Sequence, residues 1–163
     1  MNVWNVIRGL SIRQIFRLAR ILILQPLLIY PTLKATRQTI KVCDLLYQKK
    51  HHKNGKANAF RHGLWNLLIC QRTFRVTKSR EKSIIWAKKI TDLHEKLAPN
   101  DPLETAMDLR NNEVGRAIFD AMIDNSEEEM IAVLKENTKN AKKIIEIDSI
   151  LDHKKDLVYL SED

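Results

Sequence analysis

The stretch "ANAFRHGLWN" occupies residues 57–66 and sets Asn58, Arg61, His62 and Asn66 among Phe60, Leu64 and Trp65. At about 100° per residue on a helical wheel, Phe60, Leu64, Leu67 and Leu68 share one side. Asn58, His62, Trp65, Asn66 and Ile69 fall in a sector of their own. The spacing predicts a helix over 57–72 that carries a polar stripe as well as an apolar one.

The same periodicity extends outward in both directions. Downstream, "SREKSIIWAKKITDLHEKL" (79–97) predicts a further helix. Asp101 then reads as a cap, Pro102 as the first helical residue and Glu104 as the partner closing a capping box. They open a helix over "LETAMDLRNNEVGRAIFDAM". A second box, Ser126 with Glu129, opens "SEEEMIAVLKENTKNAKKIIEI". Upstream, "KKHHKNGK" (49–56) reads as a polar loop, and a helix is expected to start after Pro31 and run through "TLKATRQTIKVCDLLYQ". Residues 11–24, with Ser11 as N-cap, predict one more, halted at Pro26. The fold class is all-α: a single compact multi-helix domain with a basic amphipathic N-terminal segment. Residues 1–50 form basic helices packed on or beside the core, 57–148 the helical core, and 149–163 a polar, partly ordered tail.

Composition agrees. The 163 residues are 44% hydrophobic with only four Gly and four Pro, enough for one sizeable core. Cys43 and Cys70 both lie in apolar helical patterns, which suits reduced core thiols and cytosolic synthesis. Charge is uneven: residues 1–50 hold nine Lys/Arg and one acid, Asp44, while the remainder balances 19 against 19. Arg13, Arg17 and Arg20 share one face of the first predicted helix, opposite Ile12, Phe16, Ala19 and Ile23. Such a helix can lie at an anionic membrane surface, or pack on the domain with its arginines solvated. The run "ILILQPLLIY" (21–30) is broken by Gln25-Pro26 and falls short of the ~20 apolar residues a bilayer span needs. It also makes a poor signal peptide. Basic residues set among apolar ones, without a helix-turn-helix, zinc or stacking signature, argue against nucleic-acid binding.

Two more helices carry polar stripes. Asp108, Asn111, Asn112, Gly115 and Phe119 gather on one side of the helix from Pro102. Asn-Asn and Gly in mid-helix both oppose helix propensity, so the face has another task. The 79–97 helix supplies Asp92, His94 and Glu95, with His94 at the border of a core side made by Trp86, Ile90, Leu93 and Leu97. Trp65 and Trp86 read as packing anchors, and Arg61 with Glu95 or Asp108 as a structural ion pair is the plain alternative. Buried polar groups without partners cost roughly 1–3 kcal/mol each, so a core that gathers His, Arg, Asp and several Asn needs a satisfied network.

These residues resemble a bacterial helical domain of unknown function, found free-standing and at the C-terminal ends of polymorphic toxins. The resemblance rests on Ala59-Phe60-Arg61-His62, Trp65-Asn66, His94-Glu95, Met107-Asp108-Leu109, Asn111-Asn112 and Gly115-Arg116, in order. The chain departs at Arg110, where members often carry His, and at Gly63, where Ala is common. The likeness implies a toxin-associated setting, with an immunity protein as partner, but no particular chemistry.

The leading expectation is a hydrolase of a membrane or envelope (phospho)ester. His62, Glu95 and Asp108 are its catalytic candidates, and Arg61, Asn66, Asn111, Asn112 and Arg116 its substrate-binding ones. His62, His94, Glu95 and Asp108 are also candidate ligands should a divalent metal take part. A non-catalytic protein-binding module with a structural polar network is the alternative, and a nuclease lies within the hydrolase class. Synthesis in the bacterial cytoplasm is expected, with export or peripheral membrane attachment open.

Overall fold

The structure, a computed structural model, describes residues 19–20, 23–97 and 101–162. Helix α1 spans Pro26–Tyr47, α2 Lys56–Thr77, α3 Arg80–Leu97, α4 Pro102–Ala121 and α5 Glu127–Lys139. A 3-10 turn, η1 (Gln48–His52), joins α1 to α2. Beyond α5, two-residue strands β1 (Lys142–Lys143) and β2 (Val158–Tyr159) pair in parallel, with a second 3-10 turn, η2 (Asp148–His153), between them. The molecule is all-α, as the periodicity predicts.

Helix α2 explains why one stretch carries two stripes. It lies in the middle, with α1, α3, α4 and α5 all packed on it, and 14 of its 22 residues are buried. Phe60, Leu64, Leu67, Leu68 and Ile69 are fully enclosed. Burial of a side chain of this kind contributes about 1.5–3 kcal/mol. Its polar stripe is buried too, against α3 and α4. The indoles act as expected: Trp65 Nε1 donates to Thr36 Oγ1 and Trp86 Nε1 to Thr32 Oγ1, both at 2.9 Å. Those threonines stand one turn apart on α1 and stitch it to α2 and α3.

Gly115 has a packing reason. A Cβ there would lie 2.0 Å from the backbone oxygen of Gly63, so α2 and α4 cross backbone to backbone at these two glycines. This close crossing carries the polar face of α4 up to that of α2. A Cβ on Gly63 would meet the ends of two side chains, Leu134 at 2.8 Å and Leu157 at an ordinary 3.6 Å.

Four expectations change. Helix α1 begins at Pro26, which fills its first turn, and Pro31 lies inside it. The carbonyl that Pro31 leaves unbonded belongs to Leu27, which is exposed, so water can satisfy it. Asp101 caps α4 by accepting from Leu103 N at 2.9 Å, but Glu104 accepts from Asn54 Nδ2 instead of closing a box. The Ser126–Glu129 box at α5 is present. Helix α5 stops at Lys139, and the tail is part of the core: Leu157 and Val158 are fully buried and Tyr159 nearly so. Backbone bonds fix it, from Lys142 N to Leu157 O and from Leu160 N to Asn54 O, both 2.9 Å. Ser11, Arg13 and Arg17 lie outside the described residues, while Arg20 is exposed. Among the described residues no helix is long and apolar enough to cross a membrane.

Candidate functional site

Three helices bring their polar stripes to one point. α2 contributes Arg61, His62 and Asn66, α3 contributes Thr91 and Glu95, and α4 contributes Asp108, Asn112 and Arg116. His62, Asn66, Thr91, Glu95, Asp108, Asn112 and Arg116 are all buried, and Arg61 is half-buried at the rim.

The imidazole of His62 is held at both nitrogens. On one side, Arg61 Nη2 donates to Nε2 at 3.0 Å, and Asp108 Oδ1 lies 3.3 Å from the same nitrogen. On the other, Nδ1 is 3.3 Å from Asn112 Oδ1 and 3.8 Å from Glu95 Oε1. An arginine has no lone pair to offer, so Nε2 accepts and the ring proton sits on Nδ1, donated to Asn112. The ring is therefore neutral. Burial, reinforced by the charge of Arg61, holds its pKa well below the usual imidazole value.

Asn112 is the hub. Its Oδ1 also accepts from Asn66 Nδ2 at 2.6 Å, and its Nδ2 donates to Glu95 Oε1 at 3.3 Å. Asn66 Oδ1 in turn accepts from Arg116 Nη1 at 2.7 Å and Thr91 Oγ1 at 3.2 Å. Burial raises the pKa of Glu95, partly opposed by the Asn112 hydrogen bond and Arg61. A neutral imidazole and a carboxyl whose pKa is raised by burial thus lie side by side, an arrangement typical of acid–base chemistry.

Of the predicted residues, His62, Glu95, Asp108, Arg61, Asn66, Asn112 and Arg116 converge. Asn111 does not. Its Nδ2 donates to Val158 O at 2.9 Å and its Oδ1 accepts from Val158 N at 2.8 Å, which is how the tail strand is fastened. His94 stands at the rim, exposed, with its ring edge-on to Trp65 at 5.1 Å. For metal ligation, His62, Glu95 and Asp108 offer atoms within 4.8 Å of one another, a set that excludes His94. Thr91, on the polar side of α3 with Glu95, belongs to the network as well. Arg110 lies apart, donating to Glu113 Oε2 and to Lys154 O, so the departure from His at that position leaves the site intact.

Arg116 connects the network to a groove of about 430 Å³ between α3, α4 and η2. Lys88, Asp92 and Arg110 line one part, and Leu109, Ile150 and Leu151 give it an apolar wall.

No curated protein and no solved structure matches the chain. A family match covers residues 19–142, from before α1 to the start of β1, and includes every residue of the converging site. The chain belongs to the DUF6973 family, a domain of unknown function.

Proposed function

We propose that the chain is a toxin-like hydrolase that cleaves an anionic ester or phosphoester of a membrane or cell envelope. One observation carries this reading: His62 is held at Nε2 by Arg61, with the Asp108 carboxylate beside it, and at Nδ1 by Asn112, with the Glu95 carboxylate 3.8 Å away, by groups from three helices. The two nitrogens then have different tasks. The Nδ1 side orients the ring, with Glu95 compensating the positive charge that develops on it. The Nε2 side is reactive. When an anionic group draws Arg61 off the ring, the Nε2 lone pair is freed beside Asp108. A water held between them can then attack the phosphorus or carbonyl centre. His62 takes the water proton and passes it to the leaving oxygen, so the ring ends as it began.

Two surfaces support an amphiphilic substrate. The outer side of α1 exposes Leu27, Tyr30, Leu33, Ile40 and Leu45 among Lys34, Arg37 and Lys41. An apolar face with interspersed cations suits the interface of an anionic bilayer. The groove at Arg116 adds an apolar wall beside a buried cation. The toxin setting rests on the motif resemblance. One observation favours the non-catalytic alternative, a module in which the network only fixes helix register: His62, Asp108 and Asn112 are almost wholly enclosed.

Incubation with anionic phospholipid vesicles, following released fatty acid and released phosphate, separates the two. Turnover is expected to fall at least 100-fold in His62→Gln and Asp108→Asn with helicity retained, the usual scale for a lost general base. A wild-type chain inert towards esters and phosphoesters, or variants as active as wild type, would overturn the hydrolase reading.

A further inference from the structure

A second cluster of ligand-type side chains lies where α1 passes into η1. Asp44, in the last turn of α1, and the adjacent His51 and His52 of η1 each offer a ligand atom, all within 4.8 Å of one another. None of the three takes part in the network around His62. His51 is completely buried, unusual for a histidine in a run of lysines, and its Nε2 lies 2.9 Å from Asp44 Oδ1. Its other nitrogen, Nδ1, is buried without a partner. No protonation state of the protein alone removes that defect: Nδ1 is left either as a lone pair without a donor or as an N–H without an acceptor. The His52 ring lies against it, centroid to centroid 4.1 Å, and is exposed.

We propose that Asp44, His51 and His52 form a site for a divalent transition ion of the zinc class, fastening the end of α1 to η1. The direct donors are the two imidazoles, which suit zinc, cobalt, nickel or copper over the oxygen-seeking magnesium and calcium. An ion on Nδ1 of His51 would leave Asp44 on Nε2 as the carboxylate that orients a ligating imidazole. Zinc–nitrogen bonds run about 2.0–2.1 Å, so ligands of one ion stand within roughly 4 Å of each other. The present spacing closes to that by a small rotation of exposed His52. Lys49, Lys50 and Lys53 flank the cluster and will weaken the hold on any cation, so micromolar rather than tighter affinity is expected.

The test is calorimetric titration of the untagged full chain with Zn²⁺, comparing wild type with His52→Ala, Asp44→Ala and Glu95→Gln. Asp44 and His52 are exposed, so their replacement leaves folding intact, as circular dichroism will verify. One bound Zn²⁺ should be lost, or weakened at least tenfold, in both His52→Ala and Asp44→Ala, and kept in Glu95→Gln. The proposal fails if wild type takes up no Zn²⁺ at millimolar concentration. It fails equally if binding survives both exposed substitutions, and loss in Glu95→Gln alone would place the ion at His62 instead.

Discussion

Replacing Asn112 with alanine removes the hub of the buried network, and the consequence can be worked from its bonds. The side chain is fully enclosed. Its removal leaves His62 Nδ1 without its acceptor and Glu95 Oε1 without the amide that donates to it. Asn66 Nδ2 is only half affected, since it keeps the carbonyl of His62 at 3.2 Å. Two stranded buried groups at roughly 1–3 kcal/mol each, less whatever a water entering the space restores, give a loss of about 3 kcal/mol. With a urea m-value of about 2 kcal/mol/M for a domain of this size, the midpoint should fall by about 1.5 M. Asn125→Ala is the control, because Asn125 is exposed and reaches only Glu129, at 3.4 Å. Urea unfolding followed by tryptophan fluorescence and circular dichroism measures both. If Asn112→Ala moves the midpoint no further than Asn125→Ala, the network is not the satisfied, energetically coupled unit described above.

Other outcomes follow from the same structure. Gly115→Ala should prevent the α2–α4 crossing and abolish or severely weaken cooperative unfolding, whereas Gly63→Ala, which crowds only the flexible end of Leu134, should be folded and within about 1–3 kcal/mol of wild type. The folded-state pKa of His62 is depressed below the ordinary 6.5, so its contribution is complete above that pH and lost as the pH falls. Between pH 6.5 and the depressed value, urea melts of wild type should lose up to about 1.4 kcal/mol per pH unit more than those of His62→Gln. Glu95, whose pKa is raised, works in the opposite sense, so Glu95→Gln should make the acid loss steeper. Leu157→Ala should cost about 2–5 kcal/mol in thermal or urea unfolding, because the tail carries a fully buried leucine.

Much of the site was legible because helical spacing gives direction. The wheel placed His62 with Asn66, and Asp108 with Asn112, so two stripes could be expected to meet. It could not say what each amide would bond. Asn111 shares its stripe with Asn112, yet it reaches a strand 47 positions downstream, which no local pattern announces. The tail reads as polar because Leu157, Val158 and Tyr159 are too few to show a period, although all three are core. Pro31 works in the other direction: a proline usually marks a helix start, but here it lies inside the helix, its orphaned carbonyl on exposed Leu27. Thr91 gives no signal of its own, because its place in the network depends on α3 packing against both α2 and α4. His51 was hidden in a run of lysines that reads as a solvated loop. What named the constellation was its excess of polar groups at positions that helix propensity opposes, Asn111-Asn112 and Gly115 above all.

The most direct test of a hydrolytic His62 site is growth of a bacterial host expressing the chain with and without an envelope-targeting leader, wild type beside His62→Gln, with both proteins verified as folded. Growth arrest is expected for the wild type when delivered to the envelope, and normal growth for His62→Gln. A wild type that is harmless in both compartments, or a His62→Gln variant that is as harmful as wild type, would contradict it.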